Sequence, residues 1–242
     1  MGIRVAVIGA NGRMGQLATR LIDESDDLEI AAAIGSSDSL DGMKGADVVL
    51  DLTLPQASQL VVDHAVQLGI ATVVGTSGWS SPRIATLQRL VAAKPGLGVL
   101  IIPNFSVGSV LATSFAAQAA RFFDSIEIVE AHHAGKTDSP SGTAVRTAEL
   151  IGDARATLGP VIAPHADQRA RGQQVASVPI HSLRMQGVLA KQEVILGGIG
   201  EIVTIAHETL SSSSYEAGIL LALRSAQSAE GVVVGLDKLL SL

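Results

Sequence analysis

Two of the chain's six histidines stand side by side in the stretch EAHHAGKTDSPSGTA (residues 130–144), with a lysine three positions on. Histidine is the side chain best suited to exchanging a proton near neutral pH, and a nearby lysine adds positive charge or a second proton. Together they point to acid–base chemistry on an anionic substrate. Neighbouring strand residues face opposite sides, so His132 and His133 are not expected to share one role, while Lys136 falls in the loop beyond. Ser141, Gly142 and Thr143 then offer hydroxyls and unpaired backbone N–H groups at a helix start, which suits a carboxylate. The plainer alternative is that the histidines merely end a strand and Ser141 merely caps a helix. No metal site is expected, because lysine is a poor ligand and neither cysteine nor an H-E-x-x-H pattern is present.

A second candidate site is VIGANGRMG (residues 7–15), where Gly9, Gly12 and Gly15 fall between a β-branched run and a helical pattern. Glycines in the first strand-to-helix turn let the backbone approach a pyrophosphate, whose charge the helix N-terminus favours. The spacing is G-x-x-G-x-x-G, which is weak alone and gains weight from its position. Two further strand ends, VGTSG (74–78) and IPNFS (102–106), are expected at the same edge of the sheet.

These residues need an ordered scaffold. Strands are expected at 3–8, 28–34, 46–53, 70–76 and 98–103, and helices at 13–23, 55–68 and 81–93. This alternation predicts βαβ units and a parallel sheet. After residue 104 the rhythm changes. An Ala-rich helix (107–123), a strand (125–133), a second helix (143–151) and a loop (153–174) come first. Strands near 175–183, 192–196 and 201–207 follow, the last two joined as a hairpin through GGIG. A final apolar helix (215–226) and the tail GLDKLLSL are able to pack on either half.

At 242 residues, 47% hydrophobic and 2% aromatic, the chain must build its core from Val, Ile, Leu and Ala, as parallel sheets do. A formal net charge of −6 supplies no basic footprint for nucleic acid, and no apolar run is long enough for a bilayer span. The start MGIRVAVIG lacks a signal-peptide pattern, so a cytoplasmic protein is expected.

The motifs VIGANGRMG, VVGTSGW, IPNFSVG, EAHHAGKTDSPSGTA and HSLRMQG…EVILGGIGEIVTIAHE occur in this order over nearly the whole chain. In them the sequence resembles the 4-hydroxy-tetrahydrodipicolinate (dihydrodipicolinate) reductase family of diaminopimelate and lysine biosynthesis. The resemblance implies a Rossmann-like dinucleotide-binding domain at 1–105 and an α+β substrate and oligomerisation domain with a mixed sheet at 106–214. The C-terminal helical segment, 215–242, is implied to return to the first domain. It also implies NAD(P)H-dependent reduction of a small dicarboxylate with loss of water, in a homotetramer. His132 would be proton donor and acceptor and Lys136 a proton donor, with His133, Gly142, Thr143 and nearby Ser141 on the substrate carboxylates. Gly9, Ala10, Asn11, Gly12, Arg13 and Met14, Gly75, Thr76 and Ser77, and Ile102, Pro103, Asn104 and Phe105 would contact the cofactor.

Three departures from the family pattern stand out. Trp79 replaces the usual Phe of G-T-T-G-F. Ile102 replaces the usual Ala before P-N-F and is expected to add bulk beside the nicotinamide. AHETLSSSS (206–214) replaces a more charged segment. The second strand ends at Ile34-Gly35 without the acid that holds an NAD ribose, the first acid being Asp38, so NADPH is expected to serve at least as well as NADH; the alternative is that Asp38 folds back to the ribose and restores NADH preference. Two other readings remain: a different Rossmann dehydrogenase of small amino or imino dicarboxylates, and a non-catalytic dinucleotide-binding sensor.

Overall fold

The computed structural model describes residues 2–240. The chain divides into two units, Met1–Val107 with Tyr215–Leu242, and Gly108–Ser214.

The first unit is a parallel six-stranded sheet. Its strands are β1 (Ile3–Ile8), β2 (Leu28–Ile34), β3 (Val48–Asp51), β4 (Ala71–Val74), β5 (Gly98–Ile101) and β11 (Gly231–Val234), in the order β11-β5-β4-β3-β1-β2. The central strands β1, β3, β4 and β5 are rich in β-branched residues and mostly buried on both faces, as the layered arrangement requires, while the edge strands β2 and β11 are only partly buried. Helices α2 (Pro55–Leu68) and α3 (Ser81–Ala92) bury Val61, Ala65, Leu87 and Val91. Helices α1 (Arg13–Asp23) and α6 (Glu216–Ala226) pack together and bury Leu17, Leu21, Ile219 and Leu223. Pro55 starts α2, and Gly69 ends it in the left-handed region at φ 75°. Because β2 and β3 flank β1, the strand order reverses beside the glycine loop, the usual place for a ligand in such sheets.

The second unit carries a mixed five-stranded sheet in the order β10-β9-β6-β8-β7. Its strands are β6 (Ser125–His133), β7 (Gln173–Val175), β8 (Val178–Met185), β9 (Ala190–Gly198) and β10 (Glu201–Thr209). Strands β6 and β8 are parallel, and the crossover between them contains α5 (Gly142–Ala154). Alternate residues of β6, Ile126 and Ile128, join Val178, Ile180, Val194 and Leu196 against Ala116 and Ala120 and against Ala144, Ala148 and Ile151 of α5. The opposite face presents Leu183, Met185 and Ile202 at about half exposure or more.

Three expectations are corrected. The C-terminal segment is not one helix: after Ala226 the run GVVV forms β11, which pairs parallel with β5 from Gly231↔Gly98 to Val234↔Ile101. Four apolar residues carry no period of their own, and only the open edge of β5 makes them a strand. Helix α4 (Val107–Ala119) stops short of Phe123 and tightens into a 3-10 turn at Ala120–Phe122. The buried Arg155 is responsible: its guanidinium donates to the Ala120 carbonyl at 2.8 Å and to that of Phe123, and pairs with Asp124. Finally, α5 runs past Ile151 to Ala154, and β7 begins within the expected loop and ends at Val175, so that the expected strand 175–183 is split into β7 and β8.

The return of α6 and β11 makes the C-terminus part of the first unit's core. Leu223→Ala, at a fully buried position, is expected to lower unfolding free energy by about 2–5 kcal/mol in urea titration. Unchanged stability would mean that α6 is not core.

Candidate active site

The candidate residues divide between the units. In the first, Gly9 follows β1 at φ 85°, a left-handed conformation that favours glycine. Its N–H and that of Ala10 donate to the Ile34 carbonyl at 2.8 and 3.2 Å, and Gly12 N donates to the Gly9 carbonyl at 3.0 Å. A Cβ on Gly9 would lie 2.6 Å from the Leu52 oxygen, and one on Gly15 only 2.2 Å from the Gly9 oxygen. The glycines therefore fold the turn tightly against its neighbours. Helix α1 begins with Gly12 as N-cap, no side-chain cap and no acid in its first turn. The first-turn N–H groups of Arg13 and Met14 thus lack an intrahelical acceptor, beside exposed Asn11, and fit the pyrophosphate of a dinucleotide.

The loop after β4 is anchored from within. Gly75 N donates to the Asp51 carbonyl at 2.9 Å, and a Cβ there would lie 2.5 Å from the Phe105 ring. The buried Thr76 hydroxyl donates to the Thr53 carbonyl at 3.2 Å. Ile102 is fully buried, its N–H donating to the Val74 carbonyl at 2.8 Å, and Phe105 is nearly so; the expected Ile102 bulk is packed within the protein. Ser77 and Pro103 are exposed, and Asn104 accepts from Ser106 N at 2.9 Å.

Trp79 does more than its Phe-like position implied. Its indole N–H donates to Ser58 Oγ at 3.0 Å, and Ser58 donates to the fully buried Asp51, which also holds Thr53. Arg83 stacks 4.5 Å over the Trp79 ring and donates to the Gly78 carbonyl at 2.7 Å.

At the tip of β2 the fold supplies what the local sequence lacks. Asp38 turns back so that its Oδ2 accepts from Gly35 N at 2.7 Å, and a Cβ on Gly35 would meet Asn11 Nδ2 at 2.5 Å. A carboxylate therefore stands at the strand end even though Gly35 has no side chain.

In the second unit, β6 sets Glu130 and His132 on one face and His133 on the other. Glu130 is fully buried. Its Oε2 contacts His132 Nδ1 at 2.6 Å, and both oxygens accept from Arg184 of β8 at 2.9 Å. Oε1 also accepts from Ser141 N at 3.2 Å. Burial pushes the Glu130 carboxyl up, but the Arg184 guanidinium and the other donors outweigh it and hold the group below the ordinary glutamate range. Burial pulls His132 below the usual histidine value, against the opposing pull of Glu130. Lys136 Nζ pairs with both oxygens of Asp138 at 2.6 and 2.8 Å, and Lys136 holds the Asp138 carboxyl low.

Ser141 is the N-cap of α5, its hydroxyl accepting from Ala144 N at 3.2 Å, so both its N–H and its hydroxyl serve the protein. Gly142 and Thr143 open the helix with N–H groups that this cap does not use. Of the expected set, then, His132 lies against Glu130, Lys136 is paired with Asp138, Gly142 and Thr143 open α5, and Ser141 caps its start. In AHETLSSSS the serines close a hydroxyl turn, Ser211 with Ser213 and Ser214 to the Ser211 carbonyl, instead of a charge pair.

The arrangement has known relatives. Families described as "Dihydrodipicolinate reductase, N-terminus" and "Dihydrodipicolinate reductase, C-terminus" match residues 3–105 and 108–240. The chain belongs to the dihydrodipicolinate reductase family. A 4-hydroxy-tetrahydrodipicolinate reductase of Clavibacter michiganensis subsp. michiganensis is 63% identical over 100% of this chain and 87% of its own. One of Streptomyces griseus subsp. griseus is 47% identical over 99% and 98%. The solved dipicolinate-bound dihydrodipicolinate reductase of Paenisporosarcina sp. TG-14 superposes with TM-score 0.83 at 29% identity, covering 98% of this chain and 99% of that one. An amine dehydrogenase of Mycobacterium smegmatis, at TM-score 0.65 and 10% identity, shares the fold alone. As a member of this family the chain is a pyridine-nucleotide-dependent oxidoreductase.

Sequence reasoning about this reductase missed Glu130, Arg184 and Asp138 as parts of the site. Glu130 was findable, since it precedes His132 by two residues in a strand and must share its face. Arg184 was not, because its place depends on the β6–β8 register. The glycine cradle yields a direct test: Gly15→Ala is expected to weaken NADH or NADPH binding at least about tenfold in fluorescence titration, with cooperative urea unfolding retained. Unaltered affinity would show that this turn is not the pyrophosphate site.

Proposed function

We propose that this chain reduces 4-hydroxy-tetrahydrodipicolinate to tetrahydrodipicolinate: a hydride and a proton enter and water leaves. The observation that carries the reading is His132, with its Nδ1 against the buried Glu130 and Lys136 on the loop that follows. His132 exchanges the proton through its remaining ring nitrogen, and Lys136 is a second donor that must leave Asp138 to reach the substrate. Gly142 and Thr143 at the start of α5, with His133, take the substrate carboxylates. Dipicolinate on a relative of the same fold supports a dicarboxylate ligand. Gly9, Ala10, Asn11, Gly12, Arg13 and Met14 hold the pyrophosphate. Gly75, Thr76, Ser77, Ile102, Pro103, Asn104 and Phe105 border the rest of the cofactor. NADH or NADPH, when bound, supplies the hydride.

The uncovered face of the second sheet, with Leu183, Met185 and Ile202 exposed, supports a homotetramer joined through these sheets. Among the described residues no helix is long and apolar enough to cross a membrane.

Oxidation of NADH or NADPH on adding freshly made product of the preceding synthase tests the reading; no oxidation would refute it. His132→Ala and Lys136→Ala are each expected to lower turnover by roughly 10²–10⁴-fold, the worth of a positioned acid, with little change in cofactor affinity. Full activity of Lys136→Ala would remove Lys136 from the chemistry.

Which cofactor is preferred turns on the tip of β2. The absence of an acid at Gly35 favoured NADPH, but Asp38 brings a carboxylate to the Gly35 N–H, where it can accept from a ribose hydroxyl and repel a 2′-phosphate. We therefore revise the expectation: kcat/KM is higher for NADH than for NADPH, and Asp38→Asn reverses or abolishes the difference. A native preference for NADPH would show that Asp38 does not face the ribose.

A further inference from the structure

We propose that Glu130, clamped by Arg184, is a positioning residue for His132. It accepts a hydrogen bond from the Nδ1–H, leaves Nε2 as the nitrogen that exchanges a proton with substrate, and fixes the plane of the ring. This rests on the reading of His132 as the proton-exchanging group.

The arrangement is more than a chance contact. Glu130 has no solvent exposure, yet its two oxygens accept from two nitrogens of Arg184 and from Ser141 N, and Oε2 lies 2.6 Å from His132 Nδ1. An unpaired carboxylate in that position would be strongly disfavoured, so the bidentate guanidinium keeps it ionised and in place. The N-terminus of α5, through Ser141, favours the same charge. With an ionised acceptor at 2.6 Å, the neutral imidazole carries its proton on Nδ1, because the other tautomer would set a lone pair against the carboxylate. Arg184 also donates to the Asp138 carbonyl at 2.7 Å, and the side chain of Asp138 holds Lys136. One guanidinium thereby ties the partner of His132 to the loop of Lys136.

The ionisable groups around His132 are Glu130 on its own strand, Lys136 and Asp138 on the following loop, and Arg184 on β8; on β9 it faces Ala190. Of these, Glu130 is hydrogen-bonded to the ring. Lys136 and Arg184 disfavour the imidazolium and Glu130 favours it. Removing the Glu130 charge must lower the His132 pKa. A step that needs the protonated ring then fails at a lower pH, so the alkaline fall in activity moves downward.

Two measurements decide the matter. On the native protein, long-range ¹H–¹⁵N correlation of the histidine rings should show neutral His132 as the Nδ1–H tautomer. The Nε2–H tautomer would overturn the proposal whether or not any variant folds. For Glu130→Gln, which offers one acceptor where two are needed, kcat at neutral pH should fall on the order of 10²-fold. Its alkaline limb should shift down by about one pH unit or more, with KM for NADH unchanged. An active variant with an unshifted limb would also overturn it. The tautomer does not depend on turnover, so failure of the native chain to oxidise NADH would count against the reductase reading alone.

Discussion

A negative charge that cannot reach water organises the second unit. Glu130 sits on the inner face of β6 with no exposure, among Ile126, Ile128 and the buried face of α5. Such a group survives only if its donors are complete, and each donor constrains a different element. Arg184 requires β8 in its observed register with β6, Ser141 N requires α5 to start where it does, and His132 supplies the fourth bond. The strand register, the helix start and the histidine orientation are therefore coupled through one carboxylate. A one-residue slip of β8 would turn Arg184 to the opposite face and leave the charge unpaired.

The first unit meets a different constraint, one of space. Strands β1, β2 and β3 converge where the order reverses, and the turn after β1 has to pass close to the Leu52 carbonyl and under the start of α1. Only backbone fits there. That is why glycine occupies positions 9 and 15, and why Gly12, which has no side chain to cap α1, leaves the helix's first N–H groups facing outward. The neighbouring loops are tied to the same buried point: Gly75 N donates to the Asp51 carbonyl, while the Asp51 side chain holds Thr53 and, through Ser58, Trp79. Tight packing and pre-set backbone donors are two results of the same geometry.

Departures from the family pattern and from the usual ribose-binding rule are compensated where they occur. Trp79 brings an N–H that Phe lacks, and Ser58 accepts it. Gly35 lacks a carboxylate, and Asp38 returns one to the Gly35 N–H. The serine-rich turn at 211–214 closes on itself through hydroxyls. Each substitution removes or adds one polar group, and a neighbour balances it, as buried or crowded polar groups require.

By itself, the sequence determined the features that depend on local period and local geometry. The strands at 3–8 and 28–34, the helix at 13–23, the glycine turn that follows the first strand and the strand carrying His132 and His133 all lie where their own residues put them. These signals need no partner, because side-chain alternation, proline starts and glycine turns are set within a few residues. Tertiary structure alone decided the rest. Arg184 reaches Glu130 across 54 positions, and Arg155 ends α4 from 35 positions away. The four residues of β11 become a strand only because β5 offers an unpaired edge. The common reason is that a buried charge, a helix end or a sheet edge is satisfied by whatever the fold brings to it, and sequence distance does not record that approach.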